Sequence, residues 1–163
     1  MLVTPDRLYL GSHSNGLIVS CTKKDCVNWT TVSSDPIATV VSMATDGKRI
    51  FWTNFGSLHG CAADGSPCSI NEELEPAQLG SAKAVSVAYA AGALYIETDA
   101  GDILSCDPGA CASKVTKVAH ETKLDVTWSF FGHTVTADDR AVYWAAIDDA
   151  GGTPTYRIMK LAK

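Results

Sequence analysis

The chain has 163 residues, 46% of them hydrophobic and 19% charged, with a net charge of −5. That is enough chain for one compact domain with a sizeable core. An acidic chain without a Lys/Arg cluster argues against nucleic acid and anionic membrane surfaces as partners. No run of about 18 apolar residues exists to span a bilayer.

Met1 to Thr4 lack the basic and apolar regions of a signal peptide and run almost directly into a strand at Leu8-Tyr9-Leu10. Cys21 and Cys26 follow, and then Asn28-Trp29-Thr30, a glycosylation sequon where a eukaryotic secretory pathway is used. Beyond them, Val41, Met43 and Thr45 alternate with polar or small neighbours, as in a half-buried strand. Asp46-Gly47 predicts a turn, Arg49 to Thr53 a strand rich in β-branched and aromatic residues, and Gly56 another turn. Ser57 to Ala62 reads as a third strand, Asp64-Gly65-Ser66-Pro67 as a turn, and Ser69 onwards as a short outer strand. The plan then recurs: Val85 to Tyr89, Gly92, Leu94 to Thr98, Gly101, Ile103 to Cys106, Asp107-Pro108-Gly109, and Lys114 to Ala119.

Four aromatic-bearing strands mark the period: Leu8-Tyr9-Leu10, Ile50-Phe51-Trp52, Leu94-Tyr95-Ile96 and Val142-Tyr143-Trp144. Their central aromatics are 42, 44 and 48 residues apart. A period of roughly 40–50 residues filled with four short antiparallel strands is the signature of a β-propeller blade. The expected fold is therefore all-β, a single domain over 1–163 with blades near 1–35, 36–79, 80–121 and 122–163. The first copy reads as opening at its second strand and the last as stopping after its third, Tyr156 to Leu161. Strand counts of three, four, four and three make about three and a half blades, an open or partial ring belonging to a longer propeller. The bare edges of such an arc favour edge-to-edge self-association or pairing with further blades.

Phe51-Trp52-Thr53-Asn54 resembles the YWTD propeller repeats of the low-density-lipoprotein-receptor type. Tyr143-Trp144 is a second match, and Ala63-Asp64-Gly65 falls where such repeats turn. The likeness spans all four copies, although Tyr95-Ile96-Glu97-Thr98 and Tyr9-Leu10-Gly11-Ser12 keep only the aromatic. The chain is also similar to the Cys-decorated propeller repeats of some bacterial secreted or surface proteins. The resemblance implies a six-bladed-type ring used for binding.

The cysteines recur in phase with the repeat. Cys21/Cys26, Cys61/Cys68 and Cys106/Cys111 each bracket a turn, with four, six and four residues between partners. Strand positions flanking a short hairpin loop lie within disulfide range, about 5.5 Å between Cα atoms. Local pairing is the expectation, in an extracellular, cell-surface or periplasmic setting. Free thiols in a cytosolic chain are the first alternative. Metal pairs are the second, although each pair supplies only two ligands and propeller symmetry sets equivalent pairs apart.

His13, His59, His120 and His133 sit at unrelated phases, His13 in a turn and His59 and His133 on strands. They read as ordinary surface or packed residues. Asp99 and Asp102 flank a turn and are too few for a calcium cage; turn chemistry accounts for them. No nucleophile elbow, phosphate loop or metalloprotease helix is present. No cofactor or metal is expected. Tyr9, Phe51, Trp52, Tyr95, Tyr143 and Trp144 read as blade-packing core.

Two segments of the last copy break the period. Thr122 to Gly132 lengthens the connection into the fourth blade and carries Trp128, Phe130 and Phe131. Asp148 to Thr155, with Asp148 and Asp149, lengthens the next hairpin. Loops of these two kinds emerge on one face of a propeller, where insertions commonly bind; the alternative is that the aromatics tuck under their own loop. The inner strands, Ala38 to Ala44, Ala82 to Ala90 and His133 to Ala137, carry His133 as their one acid or histidine. The expected function is a non-catalytic binding or scaffold module recognising a protein or glycan ligand. The alternative is part of a propeller hydrolase or lyase whose catalytic blades lie outside this chain.

Overall fold

The computed structural model describes residues 1–34, 39–68, 71–121, 135–148 and 155–163. Over these residues the chain folds into four antiparallel sheets taken in sequence order. The first holds β1 (Leu2–Val3), β2 (Arg7–Gly11), β3 (Leu17–Thr22) and β4 (Asp25–Ser34). The second holds β5 (Ser42–Thr45), β6 (Arg49–Thr53), β7 (Leu58–Ala62) and β8 (Asn71–Leu74). The third holds β9 (Ala84–Ala90), β10 (Ala93–Thr98), β11 (Asp102–Cys106) and β12 (Thr116–His120). The fourth holds β13 (Thr136–Ala137), β14 (Ala141–Asp148) and β15 (Thr155–Ala162).

Turn chemistry positions the strands. Asp46 Oδ1 accepts from the amides of Lys48 (2.8 Å) and Arg49 (2.6 Å), closing the β5–β6 hairpin. Ala91 and Gly92 both have positive φ, 51° and 85°, the backbone that matches strand twist in a two-residue hairpin.

Three expectations are corrected. The first sheet has four strands, because Leu2–Val3 pairs with Leu8 and Tyr9; two residues are too short for a periodicity to register. A four-residue helix, α1 (Pro76–Leu79), follows β8. Its proline suits the first helical turn, and the Glu75 amide donates to Gln78 Oε1 at 2.7 Å. Asp148 and Thr155, read as loop, form the last ladder pair of β14 and β15.

The core lies between sheets, because successive residues of each second strand point to opposite neighbours. Tyr9 and Ile18 of the first sheet pack with Ile50, Trp52 and Cys61 of the second. Phe51 and Leu58 turn the other way and meet Leu94, Ile96 and Leu104 of the third. Tyr95 and Ile103 meet Val142 and Trp144 of the fourth. Each such large side chain, fully buried, stabilises the fold by about 1.5–3 kcal/mol. Tyr143 departs from this pattern. It is half-buried, its hydroxyl donates to Asp138 Oδ2 (3.2 Å) and Lys160 Nζ lies 5.7 Å from its ring. Its side of β14 faces away from the third sheet, so no described blade covers it.

Polar contacts cross the same seams. Tyr9 donates to the Ala63 carbonyl at 2.7 Å, and the Cys68 amide donates to the Val32 carbonyl at 2.7 Å. The Arg7 guanidinium lies against Gly65, whose φ of +78° and lack of a side chain make room for it. Arg49, over the Phe51 ring at 5.0 Å, lies likewise beside Gly109.

Candidate functional site

The inner strands surround a cavity of about 330 Å³, lined by Leu2, Ser42, Thr45, Ser86, Tyr89 and Thr136 among others. Its serines are committed to the seams. Ser42 Oγ donates to the Val87 carbonyl (3.3 Å) and accepts from the Val87 amide (3.1 Å). One blade further on, Ser86 Oγ accepts from the Val135 amide at 3.0 Å. Beside them Thr53 Oγ1 donates to the Val85 carbonyl at 3.2 Å. The described inner strands β1, β5, β9 and β13 contain no carboxylate, imidazole or thiol. The wall can hold blades together and present hydroxyls, but its described strands offer no acid–base pair.

Sequence reading missed this stitching. The available signal was a hydroxyl residue nine positions before the marker aromatic: Ser42 before Phe51 and Ser86 before Tyr95.

Trp128, Phe130, Phe131 and Asp149 lie outside the described residues, as does His133; of Asp148 the structure describes the backbone, at the end of β14. The stem of the second period-breaking loop is the Asp148–Thr155 ladder pair, and that of the first is anchored on both sides. At the exit of β12, Asp102 binds Lys117 Nζ at 2.7 Å and His120 Nδ1 at 2.5 Å. Its partial burial raises the carboxyl pKa, but the Lys117 and His120 contacts outweigh this and hold it below the ordinary value. The Glu121 amide donates to the Gly101 carbonyl at 2.9 Å. On the far side of the first loop, Val135 is held by Ser86. Asp99, read as a turn residue, accepts from the Lys83 amide at 2.7 Å.

His13 stands in a turn. His59 is buried on β7, stacked on Trp52 with ring centroids 5.5 Å apart, and its Nε2 is 2.7 Å from Asn54 Nδ2. That is a packing role. Among the described residues no three His, Cys, Asp or Glu side chains gather as a metal site. No described helix is long and apolar enough to cross a membrane.

The structure joins Cys21 to Cys26, Cys61 to Cys68 and Cys106 to Cys111, with Cα separations of 5.0, 5.8 and 5.0 Å. Each closes the hairpin between the third and fourth strands of its blade. The period-breaking loops start from the opposite strand ends.

No family model matches the chain, and no curated protein matches it in sequence. Solved structures do. The nidogen/laminin complex aligns with a TM-score of 0.64 at 13% identity, covering 96% of this chain and 60% of that one. BamB from Moraxella catarrhalis aligns at 0.59 and 14%, covering 97% and 43%. YCF48 bound to D1 peptide aligns at 0.51 and 13%, covering 91% and 48%. The chain thus spans between two-fifths and three-fifths of the length of these neighbours. They are β-propeller proteins, and the likeness, at such identity, concerns the fold. The chain is an all-β propeller of about three and a half four-stranded blades, arranged as an open, partial ring.

Proposed function

We propose that this chain is a non-catalytic binding or scaffold module of a secreted or surface protein, recognising a protein ligand through loops on one propeller face. The observation that carries the reading is the inner wall, whose serines are spent on blade-to-blade hydrogen bonds and whose described strands bring no acid–base group. Among the fold's neighbours, YCF48 holds D1 peptide and another is a complex of nidogen with laminin, which supports protein recognition. Three disulfides support an oxidising compartment. The binding residues are Trp128, Phe130, Phe131, Asp148 and Asp149: aromatic anchors, the kind that dominate recognition energetics, with polar, acidic contacts at the rim. A YWTD-type ring and a glycan ligand are the finer forms of the same reading.

The test is to replace Trp128, Phe130 and Phe131 with Ala, singly and together. Melting should stay within a few degrees of the parent, while affinity for a partner falls about thirtyfold per anchor. Binding to extracellular-matrix or surface proteins and to a glycan array distinguishes the two ligand classes. A sharp loss of melting temperature in Trp128→Ala, with its fluorescence shielded from iodide, assigns the aromatics to the core and removes the site.

A further inference from the structure

The largest exposed apolar side chains are not scattered. Among the described residues they are Met1, Val3, Leu10, Val27, Trp29, Tyr156 and Ile158. Apart from Met1, all belong to the first and last sheets. The ladder registers place them more closely. Tyr9 faces the second sheet, so Leu8 and Leu10, which alternate with it, face outward, joined by Val3 opposite Leu8 and Val19 opposite Leu10. Val27 and Trp29 stand on β4 of the same sheet. At the other end Val142 and Trp144 face the third sheet, so Tyr143 and Ala145 face outward, joined by Ile158 opposite Ala145 and Tyr156 opposite Ile147.

These two surfaces repeat the composition of the seams inside the molecule. Every internal seam sets a trailing aromatic (Tyr9, Phe51 or Tyr95) against a leading pair (Ile50 and Trp52, Leu94 and Ile96, or Val142 and Trp144). The uncovered trailing face offers Tyr143 at the same register, and the uncovered leading face offers Leu8 and Leu10. Each open face is therefore one half of a seam the chain builds three times within itself. Monomeric domains seldom leave such contiguous apolar patches bare.

We propose that the trailing face of one copy, built on Tyr143, Tyr156 and Ile158, packs against the leading face of a second copy, built on Val3, Leu8 and Leu10. The contact is sheet face to sheet face, in the manner of the internal seams, and leaves strand edges and the proposed binding loops uninvolved. Where both faces engage, residue pairs recur reciprocally about a twofold axis. Two arcs of about three and a half blades together contribute about seven, within the four to eight usual for a ring.

The experiment uses the full chain in sedimentation velocity from nanomolar to high micromolar concentration. The parent should associate. Ile158→Glu and Leu10→Glu each place a charge in the seam and should weaken association by roughly tenfold or more; Val3→Glu serves as a second leading-face variant if Leu10→Glu unfolds. Mixing Ile158→Glu with Leu10→Glu should restore a one-to-one heterodimer, because one parental seam is then available. A strictly monomeric parent overturns the proposal and leaves both faces to further blades. So does association that survives both substitutions, or a mixture that stays monomeric, since either would place the contact elsewhere.

Discussion

Ser86 is 1% exposed, and its hydroxyl satisfies the Val135 amide at 3.0 Å. Removing it leaves a buried donor without its acceptor, a loss of about 1–3 kcal/mol. Ser86→Ala should therefore lower the unfolding free energy by that amount, seen as a lower urea midpoint at unchanged m-value, whereas Ser86→Thr keeps an acceptor and should lose less. Gly11 illustrates a second constraint of the seams. Any Cβ there would be driven into the Val40 side chain of the next blade. Neither requirement is visible in local propensity, since serine and glycine are ordinary in turns and neutral or unfavourable in strands.

At the scale of the element, the hairpins differ in what their disulfides do. In the loop-closure picture each short link contributes on the order of 2 kcal/mol. Cys21 is buried but Cys26 only half-buried, so Cys21→Ser with Cys26→Ser should lose about that together with the packing of one sulfur. Cys106 and Cys111 are instead both buried in the cluster between the second and third sheets. Replacing that pair should be the costlier change, because packing is lost with the link. Chemical denaturation of the two double variants measures the difference, and non-reducing peptide mapping should recover three short intra-hairpin links. The fourth blade has Leu161 opposite Val142, where the others place cysteine opposite Leu8, Ile50 or Leu94.

For the whole molecule, three described carboxylates held below the ordinary value near 3.8 contribute to acid stability. Asp64 is lowered by hydrogen bonds from the Ser66 side chain and backbone, and Asp138 by the Arg140 and Ala141 amides. Asp102 is lowered although its burial opposes this. A depressed folded-state pKa contributes stability that is fully present above the unfolded value and lost as pH falls through the folded one. Melting temperature should hold down to about pH 4 and decline below it, and Asn at all three positions should flatten that decline. The groups are largely exposed, so added salt should shrink the effect.

Much of this architecture was legible in the linear chain. The spacing of Tyr9, Phe51, Tyr95 and Tyr143 revealed the blades, Asp46-Gly47 a hairpin, and the Arg49 to Thr53 strand its full extent. Cysteines repeating in phase with the strands pointed to local pairing. These features are set by neighbours in sequence, through pleat period and turn chemistry. What the tertiary structure decided involves residues some 40 or more positions apart. It converted Ser42 and Ser86 from anonymous strand residues into clamps on Val87 and Val135. It also separated Tyr143 from its repeat partners, since an aromatic becomes core only when another blade lies against it. Period makes those positions equivalent along the chain; only the packing of whole sheets makes them differ.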